Sequence, residues 1–321
     1  MKKYLTFKRF SARFVFGLSL IFILASANFA QIKLRNALDY DGDGKPDYGV
    51  FRGVNSTWYV SKSGGGNVFQ QFGSSNYDTL TPGDFDGDGK GDLAVWRYTD
   101  RVWYILNSAS GTVSFFQFGL IGDEPVQRDY DGDGKTDIAV VRRTGGNMIW
   151  YVQGSTAGFS AYQFGVSSDT PAPGDYDGDG RFDYVIHRQG ASAGAQAYYY
   201  IRNSSNNSFS IFAWGLYGDT VVPGDYDGDG RTDAAILRRG ATNQTWYVLR
   251  SSDTTLAAAV FGLTEVDFPT QNDYDGDGKT DFSVWRETDG NFYVLRTSDN
   301  GLSVVPWGWL SDFPIAGYDA H

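Results

Sequence analysis

The chain has 321 residues, with 27 Lys and Arg against 38 Asp and Glu, 2 His and no Cys, and a formal net charge of −11. The absence of Cys excludes a disulfide framework, a thiol nucleophile and a thiolate metal site, and the acidic balance argues against nucleic acid or an anionic membrane as partner. Forty-one Gly against 9 Pro, with 17% aromatic residues, point to many tight turns around a β-rich core.

The chain opens with an export pattern. Lys2, Lys3, Lys8, Arg9 and Arg13 form a basic stretch, and an apolar run over residues 14–25 follows. Ala25-Ser26-Ala27 then offers a small-residue cleavage site. The run is 12 residues long, well short of the roughly 20 that cross a bilayer, so it predicts a cleaved signal peptide over 1–30 rather than a membrane span. Cleavage after Ala27 or Ala30 leaves one domain over 31–321. Loss of five positive charges leaves 22 basic against 38 acidic residues, or −16. The expected location is secreted, extracellular or periplasmic.

One nine-residue string then occurs six times. It first reads Asp39-Tyr40-Asp41-Gly42-Asp43-Gly44-Lys45-Pro46-Asp47 and begins again at Asp84, Asp129, Asp175, Asp225 and Asp273. The intervals are 45, 45, 46, 50 and 48 residues, a period typical of solenoids, propellers and arrays. Each copy holds four Asp, so 24 of the 38 acidic residues lie in six short loops. Four clustered carboxylates repel unless a cation offsets them. Carboxylates at positions 1, 3 and 5, Gly at 6 and a backbone carbonyl at 7 match the first part of an EF-hand loop, and an all-oxygen set selects Ca²⁺. The string departs from the EF-hand afterwards. Its closing carboxylate is at position 9, and position 12 is Val50, Val95, Val140, Ile186, Ile236 or Val284 instead of Glu. Those residues alternate as a strand does, so each loop opens into a strand rather than a helix.

Further columns fix the rest of the repeat. An Arg follows the first ligand by 13 residues (Arg52, Arg97, Arg142, Arg188, Arg238, Arg286), and an aromatic pair begins at Trp58, Trp103, Trp150, Tyr199, Trp246 and Phe292. An aromatic-Gly step ends at Gly73, Gly119, Gly165, Gly215, Gly262 and Gly308, and an Asp precedes the next loop by six residues at Asp78, Asp123, Asp169, Asp219 and Asp267. Four short antiparallel strands in about 45 residues make one propeller blade. The expected fold is all-β, a β-propeller of six four-stranded blades with repeats starting near 34, 78, 123, 169, 219 and 267. A seven-fold ring with an incomplete blade is the alternative.

The loop, the strand after it and the recurring Phe-Gly resemble the FG-GAP/VCBS repeat family, whose fold is the integrin-α-type propeller. The resemblance covers residues 34–319. It implies Ca²⁺ held by side chains 1, 3, 5 and 9 and the carbonyl of 7. In this chain these are Asp39, Asp41, Asp43 and Asp47 with Lys45; Asp84, Asp86, Asp88 and Asp92 with Lys90; and Asp129, Asp131, Asp133 and Asp137 with Lys135. The later copies supply Asp175, Asp177, Asp179 and Asp183 with Arg181; Asp225, Asp227, Asp229 and Asp233 with Arg231; and Asp273, Asp275, Asp277 and Asp281 with Lys279. About six structural Ca²⁺ are therefore expected, with an adhesion or ligand-binding role.

Closure and function are read from the remaining residues. Asp312 stands in register with the Asp residues before each loop, but Ala320 replaces the position-3 carboxylate. Residues 312–319 therefore read as a lone strand that closes the ring beside the first blade. The tryptophan and tyrosine columns read as packing, the Arg column as a repeated salt bridge or hydrogen bond, and His187 as a substituted core position. Residues from the Arg to the aromatic pair number 6, 6, 8, 11, 8 and 6, so length varies mostly in the second hairpin of blades 3 to 5. Variable loops on a rigid frame commonly carry binding. That places a candidate ligand face at Arg143, Asn147, Gln189, Gln196, Tyr198, Arg239 and Asn243, opposite the Asp loops. No catalytic motif is found. The expected function is a monomeric, non-catalytic binding module for a glycan or extracellular protein, with a scaffold role or a polysaccharide lyase-type activity as alternatives.

Overall fold

The computed structural model describes residues 37–316. Its 24 strands form six four-stranded antiparallel sheets. The first blade holds β1 (Tyr48–Arg52), β2 (Thr57–Ser61) and β3 (Asn67–Gln71). The second holds β4 (Asp78–Leu80), β5 (Leu93–Arg97), β6 (Val102–Leu106) and β7 (Val113–Gln117). The third runs from β8 (Glu124–Pro125) through β9 (Ile138–Thr144) and β10 (Asn147–Gly154) to β11 (Gly158–Val166). The fourth runs from β12 (Thr170–Pro171) through β13 (Tyr184–Arg188) and β14 (Gln196–Arg202) to β15 (Phe209–Leu216). The fifth comprises β16 (Thr220–Val221), β17 (Ala234–Arg239), β18 (Asn243–Leu249) and β19 (Leu256–Leu263), and the sixth β20 (Asp267–Pro269), β21 (Phe282–Arg286), β22 (Asn291–Leu295) and β23 (Leu302–Pro306). Blades 2 to 6 follow the order A-B-C-D in sequence, and the six sheets make a six-bladed propeller, not a seven-fold ring.

The first blade takes its A strand from the other end of the chain. β24 (Asp312–Pro314) pairs antiparallel with β1, setting Arg52 opposite Asp312 and Val50 opposite Pro314. This covers an edge of β1 that would otherwise be open to pairing with another chain. The remaining residues of the expected closing strand, 317–319, lie outside the described residues, as do the expected signal peptide and most of the lead-in to the first loop.

The core lies between consecutive blades. Strand C alternates so that Trp58 and Val60, or Trp150 and Val152, point inward. Strand B adds the position-12 residues: Val50, Val95, Val140, Ile186 and Val284 are fully buried and Ile236 is 1% exposed. Trp58, Trp103, Trp150, Trp246 and Trp285 are fully buried as well, and each aromatic of this size removes roughly 150–250 Å² from water. The D strands face outward, and β7 is exposed along its whole length. The aromatic columns are therefore packing columns.

Backbone hydrogen bonds stitch the blades together at the loops. The position-8 N–H of each later loop donates to the position-1 carbonyl of the blade before it: Gly91 to Asp39 at 2.7 Å, Thr136 to Asp84 at 2.7 Å, Phe182 to Asp129 at 2.9 Å, Thr232 to Asp175 at 2.7 Å and Thr280 to Asp225 at 2.6 Å. In the first loop this place is held by Pro46, which has no N–H to give. The seam between blades 6 and 1 is packed by Tyr48 stacked on Tyr274 at 4.9 Å, and Trp307 Nε1 donates to the Tyr59 carbonyl at 3.0 Å.

Candidate metal centres and inter-blade clefts

Each Asp loop joins strand A to strand B and folds around its own first carboxylate. In the first loop, Asp39 Oδ1 accepts from Gly42 N–H at 2.6 Å, and Asp39 Oδ2 accepts from Gly44 N–H at 2.7 Å. The closing carboxylate clamps the other side: Asp47 Oδ2 accepts from Tyr40 N–H at 2.8 Å and Oδ1 from Ser63 N–H at 2.7 Å. Gly42 and Gly44 have φ of 82° and 85°, a region that disfavours any side chain. Tyr at position 2 is a packing residue with a tethered hydroxyl. Tyr130 donates to the Val126 carbonyl at 2.6 Å, and Tyr226 to Val222 at 2.8 Å.

The carboxylates converge. Asp39, Asp41 and Asp43 bring oxygens within 4.8 Å of one another, as do Asp84, Asp86 and Asp92; Asp129, Asp131 and Asp137; Asp175, Asp177 and Asp183; and Asp225, Asp227 and Asp229. An ionised carboxylate has about four acceptor sites, so the amide bonds leave room for a cation. Electrostatics points the same way. Burial, opposed by amide hydrogen bonds and reinforced by sibling carboxylates, pushes Asp47, Asp84, Asp175 and Asp225 up to about 6 and Asp137, Asp183, Asp233 and Asp281 up to about 7. A hard divalent ion would offset this accumulation of buried negative charge. The donor set fits Ca²⁺.

Two parts of the loop environment escape the sequence reading. A Ser or Thr five residues after the strand-C aromatic reaches across from the C–D hairpin. The backbone N–H of Ser63, Ser108, Ser155, Ser204, Ser251 or Thr297 donates to the position-9 carboxylate at 2.6–2.8 Å. The hydroxyls of Ser63, Ser108, Ser204 and Ser251 also donate to the position-5 carboxylate. The constant spacing of five was the available signal. The second part is the basic residue at position 7, whose side chain lies on the position-4 Gly of the preceding loop. Cβ atoms placed on Gly42, Gly87 and Gly276 would stand within about 3 Å of Lys90, Lys135 and Lys45.

The Arg column is structural. In each blade the guanidinium grips the Asp that starts strand A: Arg97 Nε to Asp78 at 2.7 Å, Arg142 to Asp123 at 2.7 Å, Arg188 to Asp169 at 2.8 Å, Arg238 to Asp219 at 2.8 Å and Arg286 to Asp267 at 2.7 Å. The same guanidinium lies over the Tyr of the aromatic pair, as Arg97 does over Tyr104 at 4.6 Å. Two oxygens meet two N–H donors, which holds strand A to strand B.

The candidate ligand face lies opposite the loops, but several of its residues are engaged within the frame. Arg143 bonds Glu124 and the carbonyls of Ser167 and Asp169. Gln189 accepts from Gly218 N–H and donates to the Asp219 carbonyl, Gln196 donates to Gly215, and Arg239 reaches the Thr264 carbonyl at 3.4 Å. These four tie the longer hairpins to the neighbouring D–A turns. Tyr198 is partly exposed. Asn147 and Asn243 line equivalent clefts of about 300 and 290 Å³ between blades 3 and 4 and between blades 5 and 6. The structure thus spreads the seven residues along the rim instead of gathering them at one point. A further cleft of about 350 Å³ opens on the loop face between blades 3 and 4.

His187 is a core residue. It is fully buried and its Nε2 lies 3.2 Å from the Trp214 carbonyl, against Tyr199. Burial lowers its pKa. Among the described residues no helix is long and apolar enough to cross a membrane.

The FG-GAP-like repeat pattern matches residues 39–95 and 129–186. No curated protein matches the chain. Among solved structures, a functionally unknown protein from Desulfotomaculum acetoxidans is 9% identical with a TM-score of 0.43, covering 81% of this chain and 99% of that one. A protein from Lactobacillus plantarum is 10% identical with a TM-score of 0.42, covering 82% and 85%. A DUF4784 family protein from Bacteroides caccae is 10% identical with a TM-score of 0.42, covering 82% and 72%. Two stretches match the FG-GAP-like repeat, and the six blades built on one loop form a six-bladed β-propeller, an architecture consistent with an FG-GAP repeat protein.

Proposed function

We propose that the protein is an exported, non-catalytic binding module for a glycan or an extracellular protein, with Ca²⁺ as the structural ion of its six loops. The observation that carries this reading is the recurrence of one oxygen-only donor set, with carboxylates converging within 4.8 Å in loops that also stitch blade to blade. Positions 1, 3, 5 and 9 would hold the ion with the carbonyl of position 7. Its charge offsets the two buried carboxylates at positions 1 and 9 and the more exposed ones at 3 and 5, and fixes the loop between strands A and B. A frame tied in this way leaves the hairpins and inter-blade clefts as the surfaces on which a ligand is bound. Export follows from the N-terminal signal pattern and agrees with a loop that needs the millimolar free Ca²⁺ found outside cells.

The test is a screen of the Ca²⁺-loaded protein against immobilised glycans and against extracellular matrix proteins. Binding to either class, lost on chelation, supports the reading. No binding to either, or turnover of a polysaccharide into unsaturated products, contradicts it.

A further inference from the structure

We infer that the loop-face cleft between blades 3 and 4 is a subsite for one uncharged sugar ring, an inference that rests on the glycan-binding reading and gives it a location. The cleft measures about 350 Å³, at the small end of the roughly 300–1,000 Å³ typical of ligand sites. One of its lining residues sets it apart from the other blades. Four positions after the strand-C aromatic, the other blades carry Lys62, Asn107, Asn203, Arg250 and Arg296, whereas blade 3 has Gly154. A Cβ on Gly154 would stand 2.7 Å from Asp131 Oδ2, so a side chain there would close the space.

The chemistry left in that space is of two kinds. The wall is aromatic: Tyr184 stacks on Tyr130 at 5.4 Å, and Tyr162 lies 5.1 Å from Tyr184. The rim is polar, with Arg181, Asn207 and Asp131 at the cleft. Among the described residues the Arg181 guanidinium has no hydrogen-bond or ion-pair partner. The Arg at the same loop position in blade 5, Arg231, pairs with Asp229 at 2.6 Å and donates to the Ser251 carbonyl. Asn207 Oδ1 accepts from Arg202 at 2.9 Å, which leaves its NH₂ group. Donors beside a carboxylate and an aromatic wall suit a molecule with hydroxyls around its edge and C–H groups on its face. A pyranose has that form. Four carboxylates in the adjoining loop outweigh one Ca²⁺ and the Arg181 guanidinium, so the cleft keeps a residual negative charge that favours an uncharged sugar over an anionic one.

The experiment uses the full Ca²⁺-loaded chain and a panel of methyl glycosides of neutral hexoses, N-acetylhexosamines and uronic acids, read by saturation-transfer NMR. The variants are Ser160→Trp, which fills the cleft, and Arg181→Met, which removes the donor but keeps the backbone carbonyl and an aliphatic stem against Gly132. The melting temperature in Ca²⁺ is measured for each. The expected result is binding of a neutral glycoside to the parent protein, weakened about ten-fold or more in both variants with melting unchanged. If Ser160→Trp does not fold, Arg181→Met decides. Neutral binding that persists in folded variants overturns the location and leaves the glycan reading standing. Binding of uronates alone overturns the uncharged ligand. Binding of no sugar to a parent protein that captures a matrix protein in the broader screen overturns this inference and confines the partner to protein.

Discussion

The guanidinium of Arg52 holds the carboxylate of Asp312 through both Nε and Nη2 at 2.8 Å, joining residues 260 positions apart. The Asp312 side chain is 1% exposed, and the Arg52 guanidinium lies over Tyr59 at 4.2 Å and Trp309 at 4.1 Å. The same pair recurs inside every other blade, but here it closes the ring.

That duplication allows closure to be separated from local contacts. Arg52→Ala leaves Asp312 buried without its counter-charge and should cost about 3–5 kcal/mol. Arg97→Ala removes the corresponding ion pair with Asp78 and the contact with Tyr104 from blade 2, within one covalently continuous sheet. Arg52→Ala should unfold faster in denaturant and aggregate more readily, because an unpaired edge templates association. Equal unfolding rates and equal solubility for the two variants would show that the seam carries no special share of stability.

His187 performs in blade 4 the task that an indole performs elsewhere. Trp58, Trp150 and Trp246 donate Nε1–H to the aromatic-Gly carbonyl at 2.9–3.0 Å, but blade 4 has Tyr199 in that column, with its hydroxyl directed to Ala235. Blade 6 has Phe292 there, and Trp285 of strand B supplies the donor instead. His187→Phe should therefore cost about 1–3 kcal/mol through the unpaired Trp214 carbonyl. It should also remove a pH dependence. Because burial lowers the pKa of His187 in the folded state, the unfolded chain takes up a proton first as pH falls below about 6.5. The stability this contributes is present above that pH and declines below it. In saturating Ca²⁺, the difference in melting temperature between parent and variant should shrink from pH 7.5 to pH 5.5. A difference that grows contradicts the assignment.

The loop carboxylates have the opposite sign when no cation is bound. Burial raises Asp137, Asp183, Asp233 and Asp281 to about 7 from an ordinary value of 3.8. Between those values the folded state binds more protons than the unfolded one, so stability falls as pH rises from about 4 to 7. Metal-free protein should melt higher at pH 5 than at pH 8. Calcium should abolish or reverse that order, since protons compete with it for the same oxygens. Metal-free protein that melts higher at pH 8 would contradict the buried-carboxylate account.

The fold was legible because its punctuation repeats: six Asp strings, six Arg residues and six aromatic-Gly steps gave blade number and strand order, and Asp312 in register gave closure. The carboxylates of each loop were legible for the same reason. What the sequence did not reveal depends on proximity across turns. Ser63 and its counterparts act through a backbone N–H that any residue possesses, so only their constant spacing marks them. Arg143 and Gln189 read as free groups on variable hairpins, yet their partners are carbonyls of D–A turns that no pattern announces. Gly154 is conspicuous only once the six C strands are aligned and the space beside Asp131 is seen.

The central claim is that the six loops are calcium sites on which the propeller depends. With the weak affinity of extracellular modules, roughly 0.1–1 mM, each site contributes on the order of 0.4–1.4 kcal/mol at about 1 mM free Ca²⁺. Six sites together then make up a large part of the ~5–15 kcal/mol stability of a domain. The direct measurement is a calorimetric titration of the metal-free protein with Ca²⁺, followed by melting with and without excess chelator. The account predicts a stoichiometry of about six Ca²⁺ per chain and a large fall in melting temperature on chelation. No bound Ca²⁺, or a melting temperature indifferent to chelator, would contradict it.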